Sequence, residues 1–188
     1  MVELVNLWLP ILLSSVALFF IGFVTWMILP LHKADWNELP DEDGFGEAMR
    51  GFDVPAGNYM YPYAADAEAM KSETFQQKQQ QGPNGIMQVW GGPCNMGATL
   101  GLQFVFLLVT NACLAYLATL GLSAGADFMT VFRFVGTAAM LVLIMGHVPG
   151  RIWYKTRLTG HLIDGVVMGL VVGVIFALLW PEAPSTVG

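Results

Sequence analysis

Four of the five histidines and cysteines in this chain, the residue types that most often hold transition metals or haem, fall where they could share a site: His32, Cys94, His147 and His161. Imidazole and thiolate are the common ligands of such ions, and b-type haem is held between membrane helices by pairs of histidines. His32 closes one apolar run, Cys94 precedes the second, His147 closes the third and His161 precedes the fourth. The pattern admits a haem b or transition-metal site on His32, His147 and His161, with Cys94 as a further metal ligand. The plainer reading treats the histidines as polar groups of the headgroup zone, placed there as Lys and Arg are. That reading is favoured, because no helix is read as supplying two ligands and no supporting carboxylate pattern is read beside the histidines. The leading expectation is therefore no cofactor.

Other chemistries lack their residues. No phosphate-binding glycine loop and no GxSxG, HExxH, CxxC or CxxCH pattern occurs, so a catalyst would need an unlisted mechanism. Asp41-Glu42-Asp43-Gly44 suggests a calcium loop, but Phe45 and Phe52 stand where oxygen ligands are needed, and helix capping explains the acidic run better. Cys94 and Cys113 lie nearly a full span apart on one expected helix and cannot bridge. For transport, the deep polar groups are read as Ser14, Ser15, Thr110 and Asn111, with no carboxylate or lysine placed to relay protons. Small polar groups of this kind join helices by hydrogen bonds.

The elements that position these residues follow from composition. Of 188 residues, 55% are hydrophobic and 12% charged, and the mean hydropathy is +0.58, which is the profile of an integral membrane protein. The net charge of −6 excludes a basic nucleic-acid surface. Four apolar runs reach the roughly 20 residues that a bilayer crossing requires. They lie at about Leu4 to Leu29, Gly97 to Leu122, Phe128 to Val148 and Ile163 to Trp180. The expected fold is thus an all-α membrane protein with helix 1 in residues 1–30, a partly helical acidic insertion in 31–96, and helices 2–4 in 97–188. No basic residue precedes the first run, which reads as a retained span and not a cleaved signal.

Charge sets the expected orientation. Lys33, Arg50, Lys71 and Lys78 lie between the first two spans, and Arg151, Lys155 and Arg157 between the last two. Basic segments resist translocation, so both are expected in the cytoplasm and both termini outside. Arg133 is the exception, expected to snorkel outward, pair with Asp127 or Glu3, or meet a partner.

In the insertion, Asp41 to Gly51 and Ala65 to Gln81 read as helices, each acidic early and basic late before a glycine. Val54 to Tyr63 reads as turns whose Tyr59, Tyr61 and Tyr63 face an interface or the headgroups. Ile86 to Trp90 is expected to run along the membrane surface. Gly165, Gly169 and Gly173 repeat every fourth residue, and Gly97 and Gly101 make a shorter stripe, the spacing that lets helices approach closely.

The chain resembles a family of small bacterial inner-membrane proteins of uncharacterised activity. The likeness rests on Trp8-Leu9-Pro10-Ile11-Leu12-Leu13-Ser14, Leu29-Pro30-Leu31-His32-Lys33 continuing to Leu39-Pro40-Asp41-Glu42-Asp43, Gly57-Asn58-Tyr59-Met60, and Val131-Phe132-Arg133-Phe134-Val135-Gly136-Thr137. It implies a bacterial inner membrane and supplies no mechanism. The leading expectation is a non-catalytic subunit or scaffold held among lipid and other membrane-protein subunits. A haem- or metal-binding redox or sensing protein comes second, and an oligomeric channel or small-solute carrier third.

Overall fold

The structure is a computed structural model that describes residues 2–183. Four of its helices are long and apolar enough to cross a membrane, at Leu4–Ile28, Met96–Gly121, Phe128–Tyr154 and Thr159–Leu178. The chain divides into two compact units, a helical bundle formed by Met1–Trp36 with Asn95–Gly188, and an insertion formed by Asn37–Cys94.

In the bundle, a 3-10 turn at Leu4–Leu7 leads into α1, Trp8–Phe23. Pro10 sits in the first turn of α1, where its missing N–H has no helical acceptor to lose. The end of α1 widens into one π turn, Val24–Ile28, closed by Leu29 N–H donating to the Val24 carbonyl at 2.8 Å. Pro30 follows, and a second 3-10 turn, Lys33–Asp35, ends the segment. The other spans are α5, Met96–Gly121, α6, Phe128–Met145 with its short continuation α7, Val148–Tyr154, and α8, Thr159–Leu178.

Helix α6 packs most extensively on α8, and α1 bridges α8 and α5. Glycine explains the first contact. A Cβ at Gly169 would lie 2.4 Å from Met140 Cγ, and one at Gly173 would lie 3.0 Å from the Phe132 carbonyl oxygen. Only bare backbone on α8 admits this approach, the main source of association where lipid is as apolar as the helix. A Cβ at Gly165 would meet Ile144 of the same helix α6. The shorter stripe differs, for Gly97 and Gly101 are exposed and a Cβ at Gly101 would meet nothing within 4 Å.

The α1–α5 contact uses polar glue. The Asn111 amide donates to Ser15 Oγ at 3.1 Å and to the Leu107 carbonyl at 3.0 Å, while Ser15 Oγ donates to the Ile11 carbonyl at 2.8 Å. At the opposite end of the bundle from His32, Trp180 Nε1 donates to the Ser123 carbonyl at 2.9 Å. Asp127 caps α6 there by accepting from Met129 N–H and Thr130 N–H. The Thr130 hydroxyl, with these backbone donors, holds the Asp127 carboxyl below its ordinary value of 3.8. Arg133 is exposed and forms no ion pair among the described residues, so the expected pairing with Asp127 or Glu3 does not form.

The insertion has α2, Glu42–Gly51, capped by Asp41 accepting from Gly44 N–H at 2.9 Å. The helix expected over Ala65 to Gln81 is two helices, α3, Ala67–Lys71, and α4, Glu73–Gln81. Ser72 separates them, because it takes an extended backbone and its hydroxyl caps α4 by accepting from Phe75 N–H at 3.2 Å. The segments expected as turns and as a surface run are instead β1, Gly57–Tyr61, and β2, Gly85–Val89, paired antiparallel with Tyr59 opposite Met87. Alternating side chains on both segments suit a half-covered ribbon.

Candidate functional site at the helix ends

The three histidines converge at one end of the bundle. The His147 and His161 rings stack with centroids 3.9 Å apart and planes 9° apart, and the His32 and His161 centroids are 5.0 Å apart. His32 is the buried member, 3% exposed, and Trp26 stacks on it with centroids 4.0 Å and planes 7° apart. The π turn presents Thr25 and Trp26 to this point, and wide turns of this kind concentrate at functional positions. Gly160 completes the seat, since a Cβ there would lie 2.7 Å from His32 Cε1.

Two carboxylates hold the His32 ring. Nδ1 lies 2.7 Å from Asp35 Oδ2 and Nε2 lies 3.0 Å from Asp164 Oδ2. The 3-10 turn at Lys33–Asp35 folds Asp35 back onto the histidine three residues before it. Asp164 stands three residues after His161, on the same face of α8. The Thr25 hydroxyl lies 3.2 Å from Asp164 Oδ2 and 3.2 Å from the Gly22 carbonyl, so its single proton serves one acceptor at a time. Asp164 Oδ1 is buried without a hydrogen-bond partner among the described residues.

This arrangement corrects the expectation that the spans lack a deep carboxylate. Asp164 is 7% exposed and belongs to the fourth span. It also corrects the absence of carboxylate support, because the sequence carries His32-Lys33-Ala34-Asp35 and His161-Leu162-Ile163-Asp164, two His-x-x-Asp spacings that place each carboxylate one turn from its imidazole. That repeated spacing was the signal available. Thr25 and Trp26 carry no such mark, since they read as ordinary members of an apolar run.

Chemically, His32, Asp35 and His161 can each turn one ligand atom into a space in which these atoms lie within 4.8 Å of one another. Tetrahedral zinc-type ions with bonds of about 2.0–2.1 Å need ligand atoms roughly 3.3 Å apart, so a modest inward rotation of His161 suffices. With Nδ1 as ligand, Nε2–H donates to Asp164, the carboxylate–imidazole–metal relation that fixes tautomer and ring orientation. Without an ion, Asp35, His32 and Asp164 form one hydrogen-bonded chain through the imidazole.

The remaining candidates lie elsewhere. Cys94 is exposed and belongs to the insertion. Tyr59 is half-buried and its hydroxyl donates to the Pro55 carbonyl at 2.8 Å, whereas Tyr61 and Tyr63 are 40% and 75% exposed.

Fold and site together define a multi-pass helical membrane protein with a buried histidine–carboxylate cluster at one end of its bundle. Comparison with family models, with curated proteins and with solved structures found no match to this chain.

Proposed function

We propose that this chain is a divalent transition-metal-binding protein of a bacterial inner membrane, with His32, Asp35 and His161 as ligands and Asp164 as the residue that orients His32. The observation that carries the reading is the buried His32 ring held at both nitrogens, 2.7 Å from Asp35 and 3.0 Å from Asp164, with His161 beside it. Ionisable groups in an apolar bundle end are costly to bury even when paired, and such groups mark functional sites. Two histidines and one carboxylate leave a fourth position open to water or a small ligand, as sensing, exchange or catalysis at a metal requires. Haem fits less well, because stacked rings at 3.9 Å and tilted rings at 5.0 Å leave no slot for a porphyrin between imidazoles. His147 supports His161 by stacking. The basic segments beside this end favour a cytoplasmic location for it, with both termini outside.

The test is metal analysis and cobalt absorption spectra on protein purified in mild detergent. One ion per chain is expected, with binding weakened at least 100-fold in His32→Ala and His161→Ala and about 10-fold in Asp164→Asn. Undiminished binding in His32→Ala would overturn the assignment.

A second reading, a scaffold subunit of a larger membrane complex, is favoured by the Gly97 and Gly101 stripe, whose bare face meets no helix of this chain. A neighbouring membrane subunit seated there would copurify with the wild type and be lost from Gly101→Leu.

A further inference from the structure

We propose that the loop at the end of α7 binds the phosphate head of an anionic phospholipid through Arg151, Lys155 and Arg157. Depth sets the chemistry. With α6 as a crossing, its 18 residues make about 27 Å of helix, against roughly 30 Å of hydrocarbon in a bilayer. Its start is marked by the exposed carboxylate of Asp127, a group that hydrocarbon excludes. The apolar layer is therefore used up near Met145, and the seven residues of α7 that follow reach the depth of the lipid phosphates.

Charge then selects the head. From residue 128 to residue 163 the chain carries Arg133, Arg151, Lys155 and Arg157 and no aspartate or glutamate. Ion pairs among the described residues belong to His32 alone, so Arg151, Lys155 and Arg157 meet no carboxylate there. All three are exposed, and the turn gathers them. Lys155 takes a left-handed backbone at φ 59°, and its N–H and that of Thr156 both donate to the Gly150 carbonyl. This brings the Lys155 carbonyl to Arg151, whose Nη1 donates to it at 3.5 Å, and the rest of that guanidinium fork suits two phosphate oxygens at once. Trp153 and Tyr154, 76% and 53% exposed, are apolar rings with a polar tip, the kind of side chain that settles at headgroup depth. An acidic protein would account for the cations and not for their depth. None of the three cations belongs to the histidine cluster, so this site stands apart from metal binding.

The test uses the full-length protein in mild detergent, mixed with equal amounts of phosphatidylglycerol and phosphatidylcholine of identical acyl chains, and native mass spectrometry counts the lipids retained. Phosphatidylglycerol is expected in excess, and each cation removed is expected to lower its preference about fivefold, the effect of one basic residue near an anionic surface. Arg151→Gln, Lys155→Gln and Arg157→Gln together should abolish the preference, whereas Arg151→Lys, Lys155→Arg and Arg157→Lys together should keep it. Arg157→Gln alone lies beyond α7 and should show the single fivefold step without touching a helix. Lys71→Gln with Lys78→Gln removes two cations of the insertion and is expected to change nothing. Metal content should stay at the wild-type level in every variant, so failure here and failure of the metal reading are separable. Equal retention of the two lipids by the wild type would point to an acidic protein or to no anionic occupant. That result, a preference that survives the three glutamines, or an equal loss in the insertion variant overturns the proposal.

Discussion

At the scale of single residues, Gly160 makes the sharpest claim. The His32 ring lies so close to the backbone of α8 that a Cβ at this position would come within 2.7 Å of Cε1 and 2.9 Å of Nδ1. That spacing is below van der Waals contact, and the ring is also held by the Trp26 indole stacked on it at 4.0 Å and by its two carboxylates. Gly160→Ala therefore has to move His32 off Asp164 or open the helix end. The expected result is a metal affinity lowered at least tenfold, with helical content unchanged by circular dichroism, since alanine is the better helix former. An unaltered affinity would show that the ring does not sit where its two carboxylates place it. The residues of this site were unevenly legible beforehand. His32, His147 and His161 stand out as rare polar types at the ends of apolar runs, and the structure brings them together. Asp164 is hard to see in the sequence because one carboxylate hardly changes the hydropathy of a long apolar run. Its role comes from the His32 ring, 132 positions away, and the His-x-x-Asp spacing with His161 marks only a carboxylate near a histidine on one helix face.

At the scale of elements, the two glycine stripes look alike in sequence and differ in use. In α8 a Cβ at Gly169 would lie 3.0 Å from Met140 N and 3.2 Å from the Gly136 carbonyl oxygen, atoms of backbone that cannot swing aside. In α5 a Cβ at Gly101 would meet nothing. Gly169→Val must push α6 and α8 apart and is expected to destabilise the bundle by about 2 kcal/mol, in the range of overpacking changes. Gly101→Ala is expected to leave the isolated chain within about 0.5 kcal/mol of the wild type. Unfolding in detergent with increasing denaturant measures both, and equal losses would mean the stripes play one role. Spacing alone could not separate them, because four-residue glycine repeats record the capacity for close approach and not which helix approaches. The spans were legible, since length and apolarity are local properties. The β1–β2 ribbon was not, because its strands are separated by α3 and α4, and no short turn joins them to announce a hairpin.

At the scale of the whole molecule, four crossings would set the start of the first span and the end of the fourth on one side of a membrane and the two intervening segments that hold Lys and Arg on the other. Topological parity requires this whichever way the protein faces. The choice of face rests on charge: Lys33, Arg50, Lys71, Lys78, Arg151, Lys155 and Arg157 all fall in those two segments. Lys and Arg resist translocation, so the orientation proposed here puts both segments in the cytoplasm. The histidine cluster belongs to the same end, because His32 precedes Lys33 and His147 opens α7 with its Arg151. Under that proposal a metal bound there would exchange with the cytoplasm, and the Ser123–Trp180 contact would lie at the outer end. Single cysteines at Lys71 and at Ser123, in a Cys94→Ser, Cys113→Ala background, report the two faces. A membrane-impermeant thiol reagent added to intact cells is expected to label Ser123→Cys and to spare Lys71→Cys until the membrane is opened. The reverse pattern would turn the bundle over, move the metal site to the outer face, and replace a cytoplasmic ion supply with an external one.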